Sequence, residues 1–360
     1  MRVTYNHEYP RRIRAAMIGC GGHAQRNILP AFQYAPIDLC AACDLDAGRA
    51  RAVGGLFGAR AFYADYREML AREAPEAVFV VTSFDERGRP RYPRIATDAM
   101  HAGADAWIEK PPAVSSDEIR ALAEASRSTG RIVGVGFKKA FAPAAVKARE
   151  IAMRAEFGPI STLSARYPQS LPAPGARGDP RALLGFLDHI VHPASVLVAL
   201  AGPVAALWVE RCAATGGAVA ALRFRSGAAG ALHLSAGQSG MAPLERLEVV
   251  GQGASLVVDN NIRLTYYRPG APRAGYGREG TFYGEDASAP LCWEPEFSLG
   301  QLYNKALFLL GYVPEILEFC AGVLERRAPS PGGLDDALEV MKLYEAFVRS
   351  DGQLVETTDG

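Results

Sequence analysis

Three short groups of residues in this chain have types and spacings that suit chemistry. The first is a glycine-rich turn at residues 19–24 (GCGGHA), between an apolar run and a segment with helical periodicity. Glycines let the backbone turn tightly and approach a pyrophosphate, which binds at the N-terminus of the following helix. A strand before the turn and a helix after it are the context that dinucleotide binding requires. The predicted cofactor contacts in the turn are Gly19, Gly21, Gly22, His23 and Ala24.

An aspartate, Asp44, follows the second apolar run at residues 37–43. A carboxylate at this point of a dinucleotide-binding unit accepts hydrogen bonds from the ribose and repels the 2′-phosphate of NADP. Asp44 therefore favours NAD over NADP as the cofactor. Arg49 and Arg51 weigh against the preference for NAD, because an arginine here can accommodate the 2′-phosphate of NADP. The alternative is that they lie on the solvated face at the start of the next helix.

The second group is Glu109-Lys110-Pro111, which follows the apolar run at residues 106–108. A lysine at the carboxyl end of a parallel strand can be desolvated and hydrogen-bond a reacting oxygen. A surface lysine in a turn is equally compatible with this spacing.

The third group is the segment at residues 188–192 (DHIVH). Residues four apart share one face of a helix, so Asp188 and His192 could pair while His189 points elsewhere. A histidine oriented by a carboxylate is a suitable proton acceptor near neutral pH, and histidines that only cap the helix are the competing interpretation. Pro193 either kinks this helix after His192 or lies in its first turn.

The first third of the chain positions the first two groups, and it alternates apolar runs with helical periods. Strands are predicted at residues 13–18, 37–43, 77–82, 106–108 and 132–137, and helices at 24–34, 45–57, 65–71, 95–102 and 115–128. This alternation predicts an α/β domain with a doubly wound parallel (Rossmann) sheet over residues 1–137.

From residue 138 the pattern changes. Helices are predicted at residues 144–153, 187–200 and 334–348, and strands at 219–225, 229–236, 247–250, 254–259 and 262–267, with a loop at 268–295. Short connections that contain glycine or asparagine make these strands antiparallel. Residues 138–360 are therefore predicted to form an α+β domain on a mainly antiparallel sheet.

The composition limits the partners of the chain. Acidic and basic residues balance at 39 each, for a net charge of +0, which leaves no global field to attract nucleic acid or anionic lipid. No apolar run approaches the roughly 20 residues of a membrane helix, so a small-molecule partner is expected. Arg11-Arg12 precedes an apolar stretch that is too short and interrupted for an export signal, and we predict a cytoplasmic protein.

The six cysteines are scattered, and no metal-ligand spacing stands out. Cys40 and Cys43 have the spacing of a redox motif, but they fall in a predicted strand, where residues three apart point to opposite faces. We therefore expect buried structural thiols and no bound metal.

These motifs, in this order, resemble the glucose–fructose oxidoreductase/inositol dehydrogenase (Gfo/Idh/MocA) family, and the resemblance spans nearly the whole chain. Glu109-Lys110-Pro111 is the most specific short signature, and Asp188 with His192 is similar to the family's Asp-x-Gly-x-His element. Further similar segments lie at residues 19–24, 65–66, 77–82, 135–143, 157–160 and 311–315.

The chain also departs from the family pattern. Ile190 and Ser195 stand where the family has a glycine and an aspartate, and Tyr92 falls in the place of a histidine. An insertion at residues 84–91 follows Thr82, in a loop that usually lies over the cofactor in this family. The resemblance adds three cofactor contacts to those of the turn: Thr82, Glu109 and Lys110.

The resemblance implies a catalytic trio of Lys110, Asp188 and His192. His192 would take the proton from a carbinol oxygen while a hydride leaves the carbon for nicotinamide. Lys110 would hold that oxygen, and Asp188 would orient the site and hydrogen-bond the substrate. Members of the family differ in whether the lysine or the histidine is the principal acid/base.

The resemblance further implies an NAD(H)-dependent dehydrogenase or reductase that acts on a secondary alcohol of a sugar, cyclitol or glycoside. The second domain would bind substrate and use an open sheet face to form a homodimer or homotetramer. Two alternatives within the family are an NAD-using glycosidase that acts through transient oxidation and a non-catalytic dinucleotide-binding regulator. An intact trio weighs against the regulator and does not exclude the glycosidase.

Overall fold

A computed structural model describes residues 9–270, 286, 289–294 and 305–357 of the chain. Its first sheet is built from the strands β1 (Ile13–Ile18), β2 (Ile37–Cys43), β3 (Ala61–Tyr63), β4 (Ala77–Val80), β5 (Asp105–Ile108) and β6 (Val133–Val135). All are parallel, in the order β3-β2-β1-β4-β5-β6. This order confirms the predicted doubly wound Rossmann sheet.

Both faces of the first sheet are buried, as a parallel sheet requires. Successive residues of β1 point into two separate hydrophobic cores, with Ile18 in one and Met17 in the other. The helices in this part are a π-helical turn (Ala24–Ile28), α1 (Leu29–Ala31), α2 (Ala47–Leu56), α3 (Tyr66–Glu73), α4 (Tyr92–His101) and α5 (Ser116–Thr129). Asp46, Asp65 and Ser115 cap α2, α3 and α5, because each side chain accepts a backbone N–H of the first turn.

The second sheet is mixed and mainly antiparallel. Its strands are β7 (Thr162–Tyr167), β8 (Val204–Arg211), β9 (Ala218–Phe224), β10 (Ala229–Leu234), β11 (Arg246–Val250), β12 (Ser255–Asp259), β13 (Arg263–Tyr267), β14 (Leu291–Trp293) and β15 (Val355–Glu356). They lie in the order β14-β13-β12-β11-β7-β10-β9-β8-β15, and only β7 and β10 are parallel neighbours among them. The predicted mainly antiparallel second sheet is thereby confirmed.

The remaining helices are α6 (Pro143–Ala152), α7 (Pro180–Ala201), α8 (Lys305–Leu309), α9 (Tyr312–Glu325) and α10 (Leu334–Arg349). By length and composition alone α7 could cross a membrane, but 67% of its most apolar window is buried inside the structure, as in a core helix. Pro193 lies inside α7, which begins at Pro180. The interpretation that Pro193 belongs to a first helical turn is therefore wrong.

Several elements were not predicted from the sequence, among them β3, β7, β8, β15 and α9. The predicted loop at residues 268–295 contains β14, and its residues 271–285, 287, 288 and 295 lie outside the described residues. β3 and β15 have only three and two residues, so the pairing of the sheet decides their conformation. β7 alternates exposed and buried residues, a strand signal that is present in the sequence and was missed.

The structure corrects the expectation for the cysteines. Cys40 and Cys43 are free and buried, but they lie in the same hydrophobic core and not on opposite faces. The register between β1 and β2 shifts at Cys40, and this bulge changes the alternation of side chains along β2. Cys212 and Cys292 are exposed, so the expectation of buried thiols is wrong for these two.

The predicted domain boundary at residue 137 falls after β6 and before the first strand of the second sheet. Helix α9 nevertheless packs on the first sheet, where the rings of Phe319 and Phe79 lie 5.4 Å apart. A segment from the C-terminal part of the chain therefore completes a core of the first sheet.

Candidate active site

The glycine-rich turn connects β1 to the first helix. Gly19 has a φ of +95°, and a Cβ at this position would lie 2.0 Å from the carbonyl oxygen of Val81. A Cβ on Gly21 would meet nothing within 4 Å. The first glycine is therefore required by packing, and the second leaves the backbone open to a ligand. Ala24 is fully buried in the core below the turn, where its side chain packs the helix on the sheet.

Asp44 lies at the end of β2, next to the turn. Its Oδ2 accepts a hydrogen bond from the N–H of Cys20 at 2.8 Å, which ties the two segments together. Its Oδ1 accepts a hydrogen bond from the N–H of Asp46 at 2.9 Å and lies 3.4 Å from Nη1 of Arg49. The carboxylate is in the predicted place, but part of its hydrogen-bonding capacity is used within the protein and a guanidinium lies beside it.

A cleft of about 990 Å³ opens where β1, β2 and β4 end. Four of the predicted cofactor contacts line it together: Gly19, Gly21, Asp44 and Thr82. The Oγ1 of Thr82 is buried and has no hydrogen-bond partner in the described part of the chain, a condition that a polar ligand would relieve. The residues of this cleft therefore fit a dinucleotide.

The insertion at residues 84–91 forms one wall of the cleft. The carbonyl oxygen of Glu86 accepts a hydrogen bond from Nη2 of Arg181 at 2.6 Å, which joins the insertion to the first turn of α7. Tyr92 is buried, and its hydroxyl donates to the carbonyl oxygen of Thr82 at 3.0 Å. A tyrosine thus holds the loop backbone at the position where the resembled family has a histidine.

His23 and Glu109, two predicted cofactor contacts, bind each other. His23 Nε2 lies 2.7 Å from Glu109 Oε1, and the amide nitrogen of Asn27 lies 3.1 Å from His23 Nδ1. Because the amide nitrogen can only donate, Nδ1 is the acceptor and Nε2 carries the proton. The second oxygen of Glu109 accepts the N–H of Lys110 at 2.9 Å, so the glycine-rich turn is connected to the residue after β5.

Lys110 and Asp188 form an ion pair between the two parts of the chain. Lys110 Nζ lies 2.9 Å from Asp188 Oδ1 and 3.4 Å from the backbone oxygen of Asp188. The side chains are 17% and 29% exposed, so their attraction is screened less than that of a surface pair. Tertiary packing thus brings together two of the three residues predicted to act in catalysis.

His192 lies one turn after Asp188 on α7 and is buried. Its Nδ1 has no hydrogen-bond partner among the described residues. Burial and then the positive charge of Lys110 hold the pKa of His192 well below its usual value, so the imidazole is neutral at neutral pH. The pairing of His192 with Asp188 that the helix spacing allows is not observed, because Asp188 Oδ1 binds Lys110. The expectation that His189 points elsewhere is wrong, since its Nε2 lies 3.9 Å from Asp188 Oδ2.

Other charged groups near these residues were given no role from the sequence. Lys138 Nζ donates to the hydroxyl of Tyr312 at 2.8 Å, and Lys139 pairs with Glu245. Both carboxyl oxygens of Glu315 are buried without a partner in the described ranges, and burial raises the pKa of Glu315 well above its usual value. The family resemblance includes the segments of Lys138 and Glu315, whereas no sequence signal connects Glu245 to the site.

Fold and site together define a dinucleotide-binding protein whose Rossmann sheet presents a lysine to an aspartate and a histidine on a second, sheet-based part. Within the residues that the structure describes, no group of three or more His, Cys, Asp or Glu side chains could hold a metal ion. Residues 13–137 match the model of the oxidoreductase family GFO_IDH_MocA, described as an NAD-binding Rossmann fold. The resemblance noted in the sequence is thereby confirmed.

Named relatives and solved structures agree with this placement. The chain is 27% identical to D-glucoside 3-dehydrogenase of Escherichia coli K12 over an alignment of 166 residues, and this alignment covers 45% of each protein. It is 29% identical to D-apiose dehydrogenase of Paraburkholderia graminis over an alignment of 120 residues, and this alignment covers 33% of this chain and 31% of that protein. The chain thus matches less than half the length of these two relatives. A solved structure of levoglucosan dehydrogenase with NADH and L-sorbose matches 97% of this chain and 99% of its own, with a TM-score of 0.76 and 18% sequence identity. This match shows that the two proteins share a fold.

Proposed function

We propose that this protein is an NAD(H)-dependent oxidoreductase that transfers a hydride between nicotinamide and a secondary alcohol or ketone of a sugar, cyclitol or glycoside. The observation that carries the proposal is the 2.9 Å contact between Lys110 Nζ and Asp188 Oδ1 beside the buried His192. Lys110 follows β5, and the carboxyl ends of neighbouring parallel strands are where ligands bind in doubly wound sheets. The family and the named activities of its relatives support the same class.

The three residues have separable roles in this proposal. When bound, nicotinamide supplies the carbon that accepts or gives the hydride. His192, as a neutral imidazole, takes the proton from the carbinol oxygen. Lys110 donates a hydrogen bond to that oxygen and stabilises the negative charge that develops on it. Asp188 holds the Lys110 ammonium in place and accepts a hydrogen bond from the substrate.

We propose NAD as the preferred cofactor. Asp44 would face the 2′ position of the ribose, where its charge disfavours the phosphate of NADP. The pyrophosphate would lie over Gly21 and Gly22, with Thr82 as a further polar contact. The homodimer or homotetramer and the cytoplasmic location expected from the sequence stay predictions.

An absorbance screen with product analysis tests the proposal. The purified protein is incubated with NAD or NADP and a panel of sugars, inositols, amino sugars and aryl glycosides, and both NADH and released phenol are followed. We expect NADH to form with at least one polyol, and the Lys110→Ala variant should bind NAD and form none. Phenol release without net NADH would identify an NAD-using glycosidase. Dinucleotide binding with neither product, across the panel, would identify a regulator.

A further inference from the structure

A second ion pair lies close to His192, in addition to the one made by Lys110. It joins Lys139, which follows β6, to Glu245, which precedes β11. Lys139 Nζ lies 4.9 Å from the ring centroid of Tyr167, and this ring lies 6.3 Å from the ring of His192. The cations Lys110 and Lys139 therefore both face the region around the same imidazole, although they come from different loops.

A small cavity lies between these side chains. Its volume is about 40 Å³, and Lys139, Tyr167, His192, Glu245 and Asn261 are among the residues that line it. A cavity needs roughly 10–15 Å³ of such volume to hold one water molecule. The space is therefore sufficient for one hydroxyl group of a substrate that reaches His192.

Glu245 is held in place by the turn between β12 and β13. Its N–H donates to Oδ1 of Asn260 at 2.8 Å, and its carbonyl oxygen accepts the N–H of Asn260 at 2.8 Å. Its Oε2 accepts from Nδ2 of Asn261 at 3.0 Å. The carboxylate is thus oriented before any ligand binds, while its Oε1 has no hydrogen-bond partner among the described residues.

We propose that Glu245 and Lys139 form a specificity subsite for one hydroxyl group of a neutral polyol, close to the carbinol that His192 and Lys110 bind. The proposal rests on the dehydrogenase function proposed above. A hydroxyl can donate to Oε1 of Glu245 and accept from Nζ of Lys139, so it satisfies both groups at once. A substrate carboxylate or phosphate at this point would meet the charge of Glu245, which selects against it.

The test compares Glu245→Gln with a matched control, Glu248→Gln. Glu248 lies on the exposed face of β11, the strand that follows Glu245, and pairs with Arg246. The polyol is the sugar or glycoside with a hydroxymethyl group that the wild type oxidises fastest, and it is compared with the sugar acid in which a carboxylate replaces that group. In Glu245→Gln we expect the KM for the polyol to rise about 10–100-fold, as for loss of a hydrogen bond to a charged group, with kcat nearly unchanged.

The ratio of kcat/KM for the sugar acid to that for the polyol should rise in Glu245→Gln by about tenfold or more, because Lys139 is then free to bind the carboxylate. The double variant with Lys139→Gln should lose this gain, and Glu248→Gln should resemble the wild type. Unchanged KM and ratio in Glu245→Gln, or a wild type that prefers the sugar acid, would overturn the subsite and leave the dehydrogenase intact.

A wild type that oxidises no polyol would contradict the proposed function, and binding then decides the subsite separately. Quenching of NADH fluorescence is titrated with myo-inositol and with methyl α-glucoside for the wild type and Glu245→Gln. Weaker binding by the variant supports the subsite, whereas equal binding, or no binding by the wild type, overturns it. Urea denaturation of both proteins checks that the substitution leaves the fold intact.

Discussion

The two ends of the proposed site are built differently. At the cofactor end, the turn at residues 19–24, Asp44 and Thr82 come from neighbouring strands of one sheet and are joined by local contacts such as Cys20 N–H to Asp44. At the catalytic end, Lys110 meets Asp188 on α7, 78 residues away in the chain.

Glu109 connects the two ends, because it binds His23 of the turn and the N–H of Lys110. Dinucleotide binding and proton transfer should nevertheless be separable by mutation of the Lys110, Asp188 and His192 side chains, which form no hydrogen bond with the turn among the described residues.

The largest expected effect is at the catalytic end. His192→Ala should lower kcat by roughly 100- to 10,000-fold, the usual range for loss of a general acid/base, while the affinity for NADH changes little. Asp188→Asn should lower kcat less than His192→Ala does, because it keeps a group that can accept from Lys110. Steady-state rates and NADH fluorescence titration measure both quantities.

One outcome would reverse the assignment of the base. If His192→Ala keeps nearly full turnover while Lys110→Ala is inactive and has lost its pH dependence, the lysine is the base. The histidine would then only position the substrate.

The cofactor end can be tested with two glycines of the same turn. Gly19→Ala should destabilise the fold by about 1–3 kcal/mol or more, because an alanine would be strained at the positive φ of this position and its Cβ would clash with Val81. Gly21→Ala should leave stability within about 1 kcal/mol of the wild type, because open space surrounds its Cβ. The affinity of Gly21→Ala for NADH should nevertheless fall by about tenfold or more.

Urea denaturation and NADH titration distinguish the two variants. Neither glycine substitution should change the pH dependence of turnover. An unchanged affinity in Gly21→Ala would mean that the pyrophosphate does not approach this part of the backbone.

A smaller effect is expected for the choice between NAD and NADP. Asp44→Ser should narrow the preference for NAD by about tenfold, equivalent to about 1.4 kcal/mol, because the charge facing the 2′ position is removed. Asp46→Ser is the control, since serine also caps a helix and Asp46 is the cap of α2. Tenfold tighter binding of NADP than of NAD by the wild type would instead assign Arg49 to the 2′-phosphate.

The smallest expected effect is a shift in the pH profile. His192 acts as a base when neutral, and burial holds its pKa well below the usual value of 6.5. Oxidation should therefore be nearly independent of pH above 6.5 and should decline only as the pH falls further. Lys139→Gln removes a nearby cation, so the pKa of His192 should rise and the decline should begin at a higher pH. A profile of kcat/KM from mildly acidic to basic pH checks this, and a shift in the opposite direction contradicts it.

The sequence by itself determined most of the cofactor end. Alternating apolar runs and helical periods specify a parallel sheet, because only strands buried on both faces have such runs. The turn at residues 19–24 follows directly from its glycines, since a positive φ at Gly19 and open space at Gly21 are local requirements. Lys110 could also be placed at a strand end from the apolar run that precedes it.

Only the tertiary structure decided which charged groups meet. Helix spacing puts Asp188 and His192 on one face of α7, yet the carboxylate binds Lys110, and Glu245 reaches Lys139 from a turn of the second sheet. Likewise, a bulge in β2 places Cys40 and Cys43 in one core against the expected alternation. Periodicity describes neighbours within one element, whereas contacts between elements depend on how whole faces pack, which is the sum of many weak interactions spread along the chain.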